Sequence, residues 1–87
     1  MTREQVFEIV KSKVLEVMVD LSPDQITPDR TLIELGANSI DRAEVAMHSM
    51  EALRLHIPRV QLHGVANLDG LVDVLYRNLP KSGDAHA

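Results

Sequence analysis

The sequence predicts a small all-α bundle with three longer helices, a short helical piece before the last of them, and a long first loop. Three observations point there. The chain has 87 residues, enough for one domain with a modest core. Its only aromatics are Phe7 and Tyr76, so the core must be aliphatic, which suits packed helices better than a sheet. Its apolar residues recur at spacings of three and four in separate runs, divided by proline and glycine.

The first helix is expected from about Arg3 to about Val19. Thr2 caps it, and Gln5 three residues on completes a capping box. Val6, Val10, Val14, Val17 and Leu21 form its apolar stripe, widened by Phe7, Leu15 and Met18. Ser22-Pro23-Asp24 ends it. The connection that follows contains Pro23 and Pro28 together with turn-forming Ser22, Asp24, Thr27 and Asp29. It also holds Ile26, Leu32, Ile33 and Leu35, which a free linker would not need, so the loop is expected to lie across the bundle with those side chains pinned inside. Gly36 permits a tight turn that most residues would resist.

The second long helix starts at Asn38 or Ser39 and runs to about Leu53. Its expected buried face is Ile40, Ala43, Ala46, Met47, Met50 and Leu53, with Asp41, Arg42, Glu44, His48, Glu51 and Arg54 mostly turned to water. Pro58 opens a short helical piece through about Leu62, which Gly64 stops. Asn67 caps the last helix, whose stripe is Leu68, Leu71, Val72 and Leu75, and Pro80 ends it. Residues 1–79 thus form the domain, and 80–87 read as a disordered tail.

Composition narrows the function. A net charge of −4 argues against a broad nucleic-acid interface. Without cysteine there is no disulfide framework, thiolate metal site or thiol nucleophile. No apolar run approaches a membrane span, and MTREQVFEIV lacks the build of a signal peptide, so a cytoplasmic location is expected. The histidines, His48, His56, His63 and His86, show neither metal-ligand spacing nor the context of a catalytic triad.

That leaves Ser39, in the stretch LGANSIDRAEV. As a residue at a helix start it is an ordinary cap. Yet a helix N-terminus also presents free N–H groups and the positive end of the dipole, where a phosphodiester esterified to the serine would sit well. Ser39 need not act; it suits being acted upon.

LGANSIDRAEV resembles the L-G-x-D-S-L-x-x-x-E motif of the acyl carrier proteins, with Leu35, Gly36, Ser39 and Glu44 in the family's places. HIPRVQL resembles the family's I-P segment, and NLDGLVDVL the start of its last helix. The likeness covers Arg3 to Leu79, and the spacing from Ser39 to Ile57-Pro58 and on to Asn67-Leu68 needs no gap. It implies a four-helix bundle that carries 4′-phosphopantetheine on Ser39 and acyl groups as thioesters on that arm, acting as a monomeric carrier rather than an enzyme. The arm brings its own thiol, so the chain needs no cysteine. Asn38 and Ile40 depart from the usual aspartate and leucine. The first change removes a charge that family members present to the phosphopantetheinyl transferase.

GANSIDRAE further resembles stand-alone carriers of polyketide β-branching, in which a donor carrier delivers acetyl to an enzyme similar to hydroxymethylglutaryl-CoA (HMG-CoA) synthase. Acceptor carriers of that pathway have tryptophan six residues after the serine. Val45 stands there in this chain, so the donor role fits better. The resemblance implies as partners the transferase, the synthase, an acyltransferase and a decarboxylating ketosynthase. It implies a docking surface of Asn38, Ile40, Asp41, Arg42 and Glu44, whose mixed charge would suit a dedicated enzyme. A carrier for general polyketide, fatty-acid or peptide synthesis is the alternative within the family, although Gly36-Ala37 lacks the paired glycines of peptidyl carriers. An unmodified helical adaptor is the alternative from another class.

Overall fold

The computed structural model describes residues 1–62, 64, 65 and 67–79. They form helices α1 (Arg3–Val17), α2 (Ser39–Leu53), α3 (Arg59–Leu62) and α4 (Leu68–Arg77), with a 3-10 turn at Pro23–Gln25 and no strand among the described residues. The expected stop at Pro80 and the tail lie outside the described residues. No described helix is long and apolar enough to cross a membrane.

α1 packs against both α2 and α4, and α3 lies against α4. Val6, Val10 and Val14 are fully buried, and Leu68, Leu71, Val72, Val74 and Leu75 meet them from α4. Thr2 caps α1 as the sequence implied. Its hydroxyl accepts the Gln5 N–H at 3.1 Å, and the Gln5 carboxamide accepts the Thr2 N–H at 2.8 Å. α1 ends at Val17, two residues short of the expected boundary. Met18 leaves helical geometry at ψ 77° and its N–H closes on the Val14 carbonyl, so Val19 falls in a turn and is 78% exposed.

The long loop is tied down by backbone. The N–H groups of Leu68 and Asp69, which have no partner inside α4, donate to the carbonyls of Arg30 and Pro28 at 2.9 Å each. Asn67 caps the next N–H, that of Gly70, at 2.9 Å. Three orphan donors of α4 are thereby satisfied, two by the loop. Ile26 is buried, and Leu32 and Leu35 are half-buried against the core, as expected. Ile33 is not pinned inside: it is 65% exposed. It lies on a single tight turn whose inner side is taken by Leu32 and Leu35.

α2 differs most from expectation. Its fully buried residues are Val45 and Ser49, with Ala46, Met50 and Leu53 flanking them. Ile40 and Met47, expected inside, are 68% and 49% exposed, and Ala43 is exposed between them. The helix is apolar around more than half its circumference, and α1 covers only the part centred on Val45 and Ser49.

Candidate functional site at the start of α2

Residues 31–37 build the platform for Ser39. Thr31 and Glu34 form a reciprocal pair: the Thr31 hydroxyl accepts the Glu34 N–H at 3.0 Å, and the Glu34 carboxylate accepts the Thr31 N–H at 2.9 Å. One helical turn follows. The N–H of Gly36 then returns to the Ile33 carbonyl and that of Ala37 to the Leu32 carbonyl, both at 2.9 Å, which is a Schellman stop. Gly36 has φ +97°, a left-handed conformation in which a side chain would be strained. Ala37 is buried and anchors the exit of the turn.

Asn38 begins the next helix directly. Its side-chain oxygen accepts the Asp41 N–H at 2.8 Å, while the Asp41 carboxylate accepts the Asn38 N–H at 3.2 Å. This capping box fixes the first turn of α2 and sets Ser39 as its first residue. Ser39 is exposed, and its hydroxyl has no hydrogen-bond partner among the described residues. The N–H groups of Ser39 and Ile40 likewise have no acceptor among them. A serine that neither caps nor packs is thus presented to solvent at the positive end of a helix.

The predicted docking residues surround it unequally. Ile40 and Arg42 are exposed; Asp41 and Glu44 are half-buried. Asp41 is engaged in the cap, a role its sequence position as third residue of the helix signalled but its charge obscured. Among the described residues no charge on α2 forms an ion pair, so the i,i+3 and i,i+4 pairs that a plain solvated face would show are missing there. The bridges that exist join α1 to α4, through Arg3 with Asp69 and Asp73, or lie within one helix.

Two surface features flank Ser39. On one side, Ile40, Ala43 and Met47 make an exposed apolar stripe, since residues seven apart align on a helix. On the other, Arg42 borders a cavity of about 230 Å³ whose wall includes Leu32, Ile33, Val65 and Leu71. Sequence reading missed the exposure of Met47 and of Val60, which is 71% exposed on α3. Among the described residues no group of three His, Asp or Glu side chains is placed to hold a metal.

Ser39 therefore fits a covalent phosphodiester. Among the described residues the oxygen has no partner and two backbone donors beside it are unused, and a guanidinium stands one turn along.

Comparison with known proteins agrees with that geometry. Residues 5–75 match the family model described as a phosphopantetheine attachment site. The chain is 41% identical over 76 residues to the polyketide biosynthesis acyl-carrier-protein AcpK of Bacillus subtilis (strain 168), covering 87% of this chain and 93% of that one. It is 30% identical over 76 residues to an acyl carrier protein of Guillardia theta, covering 86% and 93%. Among solved structures it resembles a chain in the crystal structure of the curacin biosynthetic pathway HMG synthase in complex with acetyl donor-ACP. The TM-score is 0.78 and the identity 39%, over 85% of this chain and 95% of that one.

Proposed function

Because the chain belongs to the family of acyl carrier domains that bear a phosphopantetheine attachment site, we propose that Ser39 is the attachment residue and that the protein delivers acetyl to an HMG synthase in polyketide β-branching. The observation that carries the first part is Ser39 itself, exposed at the first position of α2 with a hydroxyl that has no partner among the described residues. The second part is supported by the likeness to a donor carrier seen with its synthase, and by the likeness to a polyketide carrier.

The chain's own residues do three things. Gly36 and the Asn38–Asp41 box hold Ser39 outward, where a transferase can join its oxygen to the phosphoryl group of coenzyme A with loss of adenosine 3′,5′-bisphosphate. The chain has no thiol, so the thioester sulfur is the one that phosphopantetheine supplies. The stripe Ile40, Ala43 and Met47, with Arg42 and Glu44 beside it, offers a receiving enzyme apolar contact and mixed charge next to the arm. The carrier catalyses nothing itself. It serves in the cytoplasm as a cosubstrate of the synthase, loaded through an acyltransferase and a decarboxylating ketosynthase.

The test is intact-mass measurement of wild type and Ser39→Ala with coenzyme A and a broad-specificity transferase. Wild type should gain one arm and Ser39→Ala none. A gain on the variant would move the site elsewhere, and no gain on wild type would leave an unmodified adaptor. For the donor role, acetyl-loaded wild type should transfer to an HMG synthase, and Arg42→Glu should transfer more slowly, with a gap that narrows at high salt. Equal rates at low salt would remove Arg42 from the interface.

A further inference from the structure

We propose that Arg42 is the carrier's internal counter-charge for the arm's phosphodiester, and that the cavity it borders receives the arm's first apolar segment. The inference rests on the reading of Ser39 as the attachment residue. Arg42 is exposed, has no ion-pair partner among the described residues, and stands three residues beyond Ser39. Side chains at that spacing on a helix are neighbours. An unpaired guanidinium is a planar fork of donors that matches a phosphate, and it is less strongly hydrated than an ammonium.

The order of chemistry along the arm supports this placement. Phosphopantetheine begins with the phosphodiester, continues through one methylene, and then reaches a carbon bearing two methyl groups. The protein offers the complement in the same order on the same side of α2. Arg42 provides the cation, and the cavity of about 230 Å³ beside it is walled mainly by Leu32, Ile33, Val65 and Leu71. A branched four-carbon group fits that space, whereas a long acyl chain does not. The free N–H groups of Ser39 and Ile40 reinforce the anion site from the helix end. On the far side of Ser39, Ile40 and Met47 stay uncovered for a partner.

One consequence follows for recognition. A transferase approaching the unmodified protein meets a bare cation beside Ser39. An acyl-handling enzyme approaching the loaded protein meets the same guanidinium with the phosphodiester beside it, so Arg42 is shared between the arm and the enzyme. The same surface thus presents two charge patterns, one before and one after loading.

The experiment uses unloaded and loaded forms of wild type, Arg42→Gln and Arg42→Lys, with loading verified by intact mass. Failure of wild type to load would count against the Ser39 assignment, and only loaded samples test the present one. NMR then reads the Arg42 Nε–Hε resonance, the 31P resonance, and nuclear Overhauser contacts between the arm's paired methyls and the methyls of Val65 and Leu71. In loaded wild type the Nε–Hε resonance should shift and the methyl contacts should be present. Both should fade as salt is raised from about 20 mM to about 500 mM. Arg42→Gln should lose the contacts and shift the 31P resonance, while Arg42→Lys keeps part of both. Loaded wild type without contacts to the cavity overturns the proposal. So does an Arg42→Gln sample that matches wild type, because the helix terminus alone would then hold the anion.

Discussion

Ser49 should be more useful to this fold as alanine. Its side chain is fully buried on α2, and its hydroxyl has no hydrogen-bond partner among the described residues. Leaving a buried hydroxyl unpaired costs about 1–3 kcal/mol. Alanine removes only that oxygen, so no methylene is lost from the core, and helix propensity adds a few tenths of a kcal/mol in alanine's favour. Less the packing lost where the oxygen was, these give a stabilisation of about 1–2 kcal/mol for Ser49→Ala. In a domain of this size 1 kcal/mol is worth roughly 4–8 °C, so the melting temperature should rise by roughly 4–16 °C. Urea denaturation is the assay, with the midpoint rising at an unchanged slope. Ser12→Ala is the control, since Ser12 is exposed and its hydroxyl already donates to the Ile9 carbonyl at 2.7 Å. It should move the midpoint little. A Ser49→Ala midpoint equal to or below wild type would refute the reasoning. It would show that the hydroxyl has a partner in solution, either a buried water or a carbonyl of its own helix.

Arg54 ends α2 in the left-handed conformation at φ 57° and ψ 43°. Arg54→Gly should therefore gain on the order of 0.5 kcal/mol after glycine's own chain-entropy loss, and Arg54→Val should lose stability, both read from denaturation midpoints. Asn38→Ala should cost about 1 kcal/mol because it opens the capping box, whereas Ser39→Ala should keep its circular dichroism and melt near wild type. Asp29 has its carboxyl held below the ordinary value of 3.8, first by the hydrogen bond from the Thr27 hydroxyl. A lowered carboxylate stabilises the fold fully above its unfolded value and loses that contribution as pH falls through its folded value. Thr27→Val should accordingly melt below wild type at neutral pH, and the gap should shrink in acid.

Much of this architecture was legible because the chain marks its own boundaries. Thr2, Asn38 and Asn67 each precede an apolar run, and each caps a helix. Val6, Val10 and Val14 recur at four-residue intervals on α1 and are all fully buried. The same signals were hidden where no long helix follows them. Gln25, whose side chain accepts the Ser22 N–H, and the reciprocal pair of Thr31 with Glu34 lie inside what reads as loop. Each organises a single turn, and Gly36 stops the second before any periodicity can develop. The fixed platform beneath Ser39 therefore looked like an irregular connection.

The misreading of α2 has a different origin, and it bears on function. Periodicity reports that one side of a helix is apolar; it does not report what covers that side. On α2 the apolar arc is wider than one neighbouring helix can bury, so α1 takes Val45 and Ser49 and leaves Ile40, Ala43 and Met47 outside. Burying those three instead would require rotating α2 by about half a turn, at 3.6 residues per turn. The capping box and the Schellman stop oppose that rotation, because they fix the helix start on both sides of Asn38. The devices that set Ser39 at the first position of α2 thus also keep the apolar stripe outward. Ile40 follows Ser39 directly and Met47 lies two turns further along the same helix, both exposed, so an enzyme that comes for the arm meets them beside it.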